Sequence, residues 1–318
     1  MCFIIGALLF PAVALAAEKF PSRPITIIVP FTPGGTWDII GRLFAEDWRL
    51  EFGVPTEVKN LPGASGRIAL MELLKSKPDG YTVAEVNTGA VVEQLIRENP
   101  PYDLKRDTLP VANFSGTPYG LVVRSDSPFK SYKDIVNYAR QNPGVLKYSV
   151  PGIYLPQNLA MIAIAAFEKI SWKAVPVKGN PEAFAALMGG HVPLYSGYLG
   201  AVAQDPSKSR IIVAYGRKRL PEYPDVPTLL DVGVPSEYVM PRYWGGLFVP
   251  KGTPKERIKI LDQAVQKTLK KPHFVEKLKF LYETSDYMNA EDTMKAVEEF
   301  THYQKRIIDL MKKEDKKE

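Results

Sequence analysis

The sequence predicts an α/β protein of two modules with mostly parallel sheets and a hinge between them. Three observations carry that expectation. Apolar or β-prone runs alternate with helical patterns along most of the 318 residues. Two strand–loop–helix units with Gly-rich loops stand close together near the start. A strand pattern within Tyr243 to Pro254 reads as a return to the first module after an excursion that begins near Gly120. A chain that leaves one module and later re-enters it has two crossing segments, the geometry of a hinge.

The first unit reads Ile25 to Val29 as a strand, then Phe31-Thr32-Pro33-Gly34-Gly35-Thr36-Trp37-Asp38. A helical pattern follows from Trp37 to Phe52, with Gly53 placed to close it. The second unit runs from Thr56 through Asn60 and Pro62-Gly63-Ala64-Ser65-Gly66 into a helix over Arg67 to Lys77, stopped by Pro78-Asp79-Gly80. Tyr81 to Val86 supplies the next strand, with Asn87-Thr88-Gly89 as its exit loop. Both Gly-rich loops thus leave strands at one edge of one sheet, the edge at which open α/β sheets bind ligands.

The second module begins with a strand at Leu121 and a helix over Tyr132 to Arg140. A strand over Leu146 to Ser149 then enters a loop at Pro151-Gly152. Leu159 to Phe167 is an apolar helix, too short for a membrane span. Trp172 to Val177 is a strand ending at Lys178-Gly179, and Ala183 to Met188 a helix stopped by Gly189-Gly190. Arg210 to Ala214 is a further strand, and beyond Pro254 the pattern is amphipathic helix.

Residues 1–16 read as a signal peptide: no charge, an apolar run from Phe3 to Phe10, and Ala14-Leu15-Ala16 as a cleavage signal. The one cysteine, Cys2, falls within it, so the remaining chain has neither disulfides nor thiol chemistry. About 300 residues are ample for a packed core and favour two domains. The net charge of +6 is mild, and Lys312 to Glu318 mixes both signs. Basic residues do not interleave with aromatics, so no nucleic-acid partner is expected.

Gly-rich loops at helix N-termini bare backbone N–H groups, which suit an anion. Neither loop carries a P-loop Lys-Ser/Thr or a full G-x-G-x-x-G, so a small carboxylate is favoured over a nucleotide phosphate. The plainer reading is that both loops are tight turns. Asp38 fits either a general base or a first-turn acid favoured by the helix dipole. Trp37 suits a core gap as well as a stacking wall. Arg67, on a first helical turn, calls for a local anion or is simply exposed. His191, His273 and His302 sit near no nucleophile motif, and no paired metal-ligand spacing exists. No active site, metal or cofactor is expected.

These residues resemble the Bug-type periplasmic solute-binding proteins, the receptors of tripartite tricarboxylate transporters. The resemblance rests on Phe20-Pro21-Ser22-Arg23-Pro24-Ile25, Val29-Pro30-Phe31 with Pro33-Gly34-Gly35 and Asp38, and Asn60 with Pro62-Gly63-Ala64. It extends through Pro78-Asp79-Gly80-Tyr81-Thr82, Val226-Pro227-Thr228 with Gly233, and Trp244 to Pro254, in order over nearly the whole chain. It implies a type II periplasmic-binding-protein fold that closes on a small organic acid in an interdomain cleft. The expected partners are that acid and the membrane subunits of a tripartite transporter, with the receptor a periplasmic monomer. The implied division is 17–120 with 241–318 as domain 1 and 121–240 as domain 2. In the family, backbone groups of the two first-domain loops hold one carboxylate. Carried over, these loops are Phe31 to Asp38 and Pro62 to Gly66, with Thr88 facing the cleft. The second-domain readers fall in Ser149 to Gln157, including Tyr154, at Lys178-Gly179, and in Tyr195 to Tyr198.

The departures bear on the ligand. Trp37 directly precedes Asp38, the second loop runs Gly63-Ala64-Ser65-Gly66-Arg67, and an acid common after Gly189-Gly190 is replaced by Pro193-Leu194. Trp37, Tyr154 and Tyr198 as flat walls, and Arg67 as a charge partner, point to an aromatic or bulky carboxylate. Two other function classes fit the same features: a ligand sensor for a membrane signalling partner, or an enzyme acting on a carboxylate or phosphate substrate.

Overall fold

In the computed structural model, residues 19–314 are described apart from 154, 178, 204, 205, 222 and 282, with side chains described as far as 310. The expected signal segment, the end of the charged tail, Tyr154 and Lys178 therefore lie outside the described residues.

The chain opens with β1 (Ile25–Val29), α1 (Thr36–Phe52), β2 (Thr56–Asn60), α2 (Arg67–Lys75), β3 (Thr82–Asn87), α3 (Thr88–Leu95), α4 (Leu104–Asp107) and β4 (Thr108–Ser115). It continues as β5 (Tyr119–Arg124), α5 (Tyr132–Gln141), β6 (Lys147–Val150), α6 (Pro156–Glu168), β7 (Lys173–Pro176), α7 (Asn180–Met188), β8 (Leu194–Tyr198), α8 (Gly200–Ala203) and β9 (Ser209–Ala214). It ends with β10 (Gly245–Pro250), α9 (Lys255–Leu269), α10 (Pro272–Phe280), β11 (Ser285–Asn289) and α11 (Ala290–Glu314).

Two sheets result. The first has the order β11-β4-β10-β3-β1-β2 and the second β7-β6-β8-β5-β9. Neither is mostly parallel, which corrects the sequence expectation. β1 pairs parallel with β2 and β3, but β10 runs against β3 and β4, and β11 against β4. In the second sheet β6 is parallel to β7 and β8, whereas β5 runs against β8 and β9. The cause is the excursion itself. β4 takes the chain out of the first sheet and β10 brings it back, so these neighbours must point in opposite directions; β5 and β9 do the same in the second sheet.

The parallel centre behaves as burial on both faces requires. Four of the five residues of β1 are buried, a near-continuous apolar run in place of alternation. On one face lies an aromatic cluster in which Phe44 meets Phe114 and Phe274 at ring-centroid distances of 5.1 Å. On the other, α2, α3 and α11 contribute to a core that runs on into the second sheet, because α11 packs against β4, α3 and α6. α1 ends as expected, with Gly53 left-handed at φ 70°. Two further expectations shift. Asn87-Thr88-Gly89 is no loop: Asn87 caps α3 directly, its side chain accepting from Gly89 N–H at 2.8 Å. The C-terminal region is also not all helix, because β11 stands between α10 and α11.

Candidate functional site

Helix N-termini dominate the ground between the two sheets. A cavity of about 220 Å³ is lined there by Thr36 and Trp37 of α1, Thr88 and Gly89 of α3, Pro156 and Gln157 of α6, and Asn180 of α7. Two of these helices belong to each half of the fold. The N-caps of α1, α6 and α7 (Gly35, Leu155 and Gly179) provide no side-chain hydrogen bond, which leaves first-turn N–H groups for another acceptor. Each helix start also carries a partial positive charge. Four such starts around one small space form a field for an anion, although the described lining residues include no lysine or arginine.

The first loop is shaped by a buried carboxylate. Asp38, 3% exposed, accepts from Gly34 N–H at 2.8 Å, Arg42 Nε at 3.0 Å and Asn60 Nδ2 at 2.8 Å. Asn60 also donates to the Phe31 carbonyl at 3.1 Å, so loop, helix and β2 are buckled together. Burial would raise the Asp38 carboxyl, but the hydrogen bonds from Arg42, Gly34 and Asn60 outweigh it and hold the group below its usual range. Asp38 is thus the first-turn acid of the plainer reading; it positions the loop and does not line the cavity. Thr32, Gly34 and Gly35 likewise form the turn, with Gly35 N–H donating to the Thr32 carbonyl. Phe31 and Thr36 reach the cavity wall.

Trp37 fills the core gap of its plainer reading and also reaches the cavity wall. Its ring packs on Phe31 and Phe114, at 5.7 and 5.5 Å, while one part lines the cavity. A Cβ at Gly245 would stand 2.1 Å from Trp37 Cη2, and one at Gly246 would stand 2.5 Å from the Ala112 carbonyl oxygen. Gly245 is therefore the seat on which this indole rests, and Gly246 lets β10 lie close against β4.

The second loop is shaped by handedness. Ala64 and Ser65 have φ 46° and 51°, between Gly63 at 124° and Gly66 at 95°. Left-handed non-Gly residues in succession are strained, a condition that clusters at binding sites. Ser65 reaches the cavity; Pro62, Gly63, Ala64 and Gly66 do not line it. Arg67 is a correction. It is turned to Glu93 of α3 at 2.9 Å, and Arg97 approaches the same carboxylate at 2.7 Å, so its local anion belongs to the protein. Ser149 is a second correction. Fully buried, it donates to the Ala183 carbonyl at 2.6 Å and fixes α7 to β6.

From the second half, Gln157 and Tyr198 do face the cavity. Gln157 is 3% exposed and its Oε1 has no hydrogen-bond partner, an acceptor left for an occupant. The Tyr198 hydroxyl donates across to the Leu281 carbonyl at 2.7 Å, joining the two halves at the cavity rim. Leu155 and Pro156 fall within the expected stretch Ser149 to Gln157, and Asn87 and Gly89 flank Thr88 in the expected exit segment; sequence reasoning missed Asn180, although Asn180-Pro181 carried the mark of Pro in a first helical turn. It also missed the crossing segments. Thr117 and Tyr119 on the way out and Tyr243 on the way back line the cavity, the two rings meeting edge to face at 4.9 Å. Glu283, between α10 and β11, completes the lining.

Two larger hollows lie elsewhere. One, of about 690 Å³, borders α5, whose start is already closed by a Ser131–Asp134 capping box. The other, of about 770 Å³, carries Arg217, Lys218, Arg219 and Arg242 beside Asp286 and Glu299. Among the described residues no group of three His, Cys, Asp or Glu could hold a metal, and no helix is long and apolar enough to cross a membrane.

Fold and cavity together define the class: a two-sheet α/β protein with a cavity lined from both of its halves. Residues 40–312 match the tripartite tricarboxylate transporter family receptor model, and the chain belongs to that family. A UPF0065 protein from the gbd 5' region of Cupriavidus necator is 33% identical over 313 residues, 96% of this chain and 93% of its own. Among solved structures, Rpa4515 of R. palustris with adipate is similar at a TM-score of 0.76 and 28% identity, covering 92% of this chain and 98% of that one. MatC of Rhodopseudomonas palustris with bound malate gives 0.74 and 25%, over 91% and 100%. The periplasmic binding protein BugD gives 0.74 and 26%, over 92% and 98%. The Bug-type resemblance and the fold class therefore hold, and the family and its solved neighbours are periplasmic solute-binding receptors, not enzymes.

Proposed function

We propose that this chain is an exported receptor that captures a small organic acid between its two halves and hands it to the membrane subunits of a tripartite transporter. The carrying observation is the convergence of four helix N-termini on one cavity with no cationic side chain among its described lining. Backbone N–H groups at the uncapped start of α1 would take one carboxylate, as charge-assisted bonds in a low-dielectric space. Gln157, Asn180 and Tyr198 would read the rest. Relatives solved with adipate and malate support the ligand class.

A cavity of about 220 Å³ lies below the ~300–1,000 Å³ typical of drug-sized pockets, and the Trp37 ring is committed to its aromatic neighbours. Both points favour a short acid over the bulky aromatic one that the sequence suggested. The proposed lobes are 17–120 with 241–318, and 121–240. The crossings at Thr117 and Tyr243 supply the hinge, and cleavage near Ala16 releases a monomer to the periplasm.

Thermal unfolding against acetate, malonate, malate, adipate and benzoate, each beside its amide, tests the reading. A ligand bound only by the folded state raises the midpoint with the logarithm of its concentration. A shift by a short acid and none by its amide is expected. No shift by any acid, from protein unfolded and refolded to free retained ligand, would overturn it.

A further inference from the structure

A lone carboxyl group sits among the helix starts of an anion cavity, and its surroundings say how it coexists with an acid. Glu283 is 8% exposed and lines the cavity. Its Oε2 accepts from the hydroxyls of Thr117 and Ser115, the latter at 3.1 Å, and those two hydroxyls are 3.1 Å from each other. Its Oε1 receives no hydrogen bond among the described residues. The two oxygens are therefore unlike. Oε2 is saturated by donors, which makes it a poor place for a proton, so a proton on this carboxyl belongs on Oε1.

The neighbouring charges reinforce this. No cation among the described lining residues balances Glu283, and a bound carboxylate would add a second negative charge in the same small space. Two carboxylates in one desolvated site cannot both remain ionised cheaply. We propose, on the basis of the receptor reading above, that Glu283 is a ligand-reading group which binds the acid in its neutral form, donating the Oε1 proton to a ligand oxygen. Binding then takes up a proton, and the preferred ligand carries an oxygen acceptor facing Glu283 and no ammonium group.

Burial already pushes the Glu283 carboxyl up to about 7 against the pull of Thr117 and Ser115, so the required proton is at hand near neutral pH. The titratable side chains beside it are Tyr119 and Tyr243, both raised above the ordinary tyrosine value by burial first, so neither changes charge between pH 6 and 9. Asp286, three residues on, faces Arg242 at 3.3 Å in the neighbouring hollow.

The test is calorimetric binding of malate, adipate, acetate and malonate between pH 6 and 9, in two buffers of different ionisation heat. If only the neutral form binds, the apparent dissociation constant rises about tenfold per pH unit above 7, with close to one proton taken up at pH 8. Glu283→Gln keeps a donor without a titrating proton. It should bind with no such slope, and at pH 9 at least tenfold more tightly than the native chain. A native chain with flat affinity and no proton uptake overturns the proposal. So does an equal slope in the variant, which would place the titration elsewhere. Should the native chain take up no proton while Glu283→Gln loses binding at every pH, the ligand presents a cation to an ionised Glu283. Failure of every acid to bind at any pH would instead remove the receptor reading, and this proposal with it.

Discussion

The two Gly-rich loops look alike in sequence and are held by different means. The first is buckled by side chains: Asp38 gathers Gly34, Arg42 and Asn60, and Trp37 anchors the helix start in an aromatic cluster. The second has no such buckle. Its shape lies in four successive left-handed residues, Gly63 to Gly66, with Arg67 turned away to Glu93. Both bring a helix or turn to the same cavity. The lesson is that presenting backbone donors requires a fixed loop, and either a buried polar network or a constrained backbone can fix it.

That contrast can be broken by substitution. Trp37→Ala should have the largest effect, because it empties a buried indole seat on Gly245. A loss of about 3–5 kcal/mol is expected in denaturant unfolding, and a loss near zero would mean the ring is not an anchor. Next comes Asp38→Ala, which leaves Asn60, Arg42 and the Gly34 N–H without their acceptor. About 2–3 kcal/mol should be lost, with ligand affinity falling alongside.

Beneath the first loop, Glu85 gives a pH-dependent test. Both its oxygens are buried without partners, and a Cβ at Gly41 would stand 3.1 Å from Oε1. Burial first, and the nearby Asp38 charge second, push its carboxyl well above the ordinary value. The folded chain therefore holds a proton that the unfolded chain releases above about pH 4.5, so stability contributed at low pH is lost as pH rises toward the folded pKa. Glu85→Gln should gain on the native chain by up to about 1.4 kcal/mol per pH unit over that window. Parallel stability curves at pH 5 and 8 would contradict it. The smallest effect belongs to the second loop. Arg67→Ala leaves Glu93 with Arg97 and should cost no more than about 1 kcal/mol. If it costs as much as Asp38→Ala, the two loops are not held differently after all.

Much of this was legible because it is local. The strand–loop–helix units, the Gly53 stop and the return strand near Gly245 all follow from nearest-neighbour chemistry. What escaped was long-range. β4 hid behind Pro110 and Asn113, since proline is unusual inside a sheet; a register shift between Leu247 and Phe248 lets Pro110 sit opposite β10. β11 is a short polar edge strand whose residues Ser285 to Asn289 carry little apolar pattern. Arg67 could not be assigned without knowing that α3 brings Glu93 beside it, and Glu283 gains its meaning from Ser115 and Thr117, more than 160 residues earlier.

The central claim is that backbone at helix starts, not a charged side chain, holds the ligand acid. A crystal structure with the acid that most raises the melting midpoint tests it most directly. The account predicts a carboxylate within about 2.7–3.1 Å of N–H groups at the uncapped start of α1, with no lysine or arginine in contact. A carboxylate clasped by Arg217, Arg219 or Arg242 in the neighbouring basic hollow would contradict it.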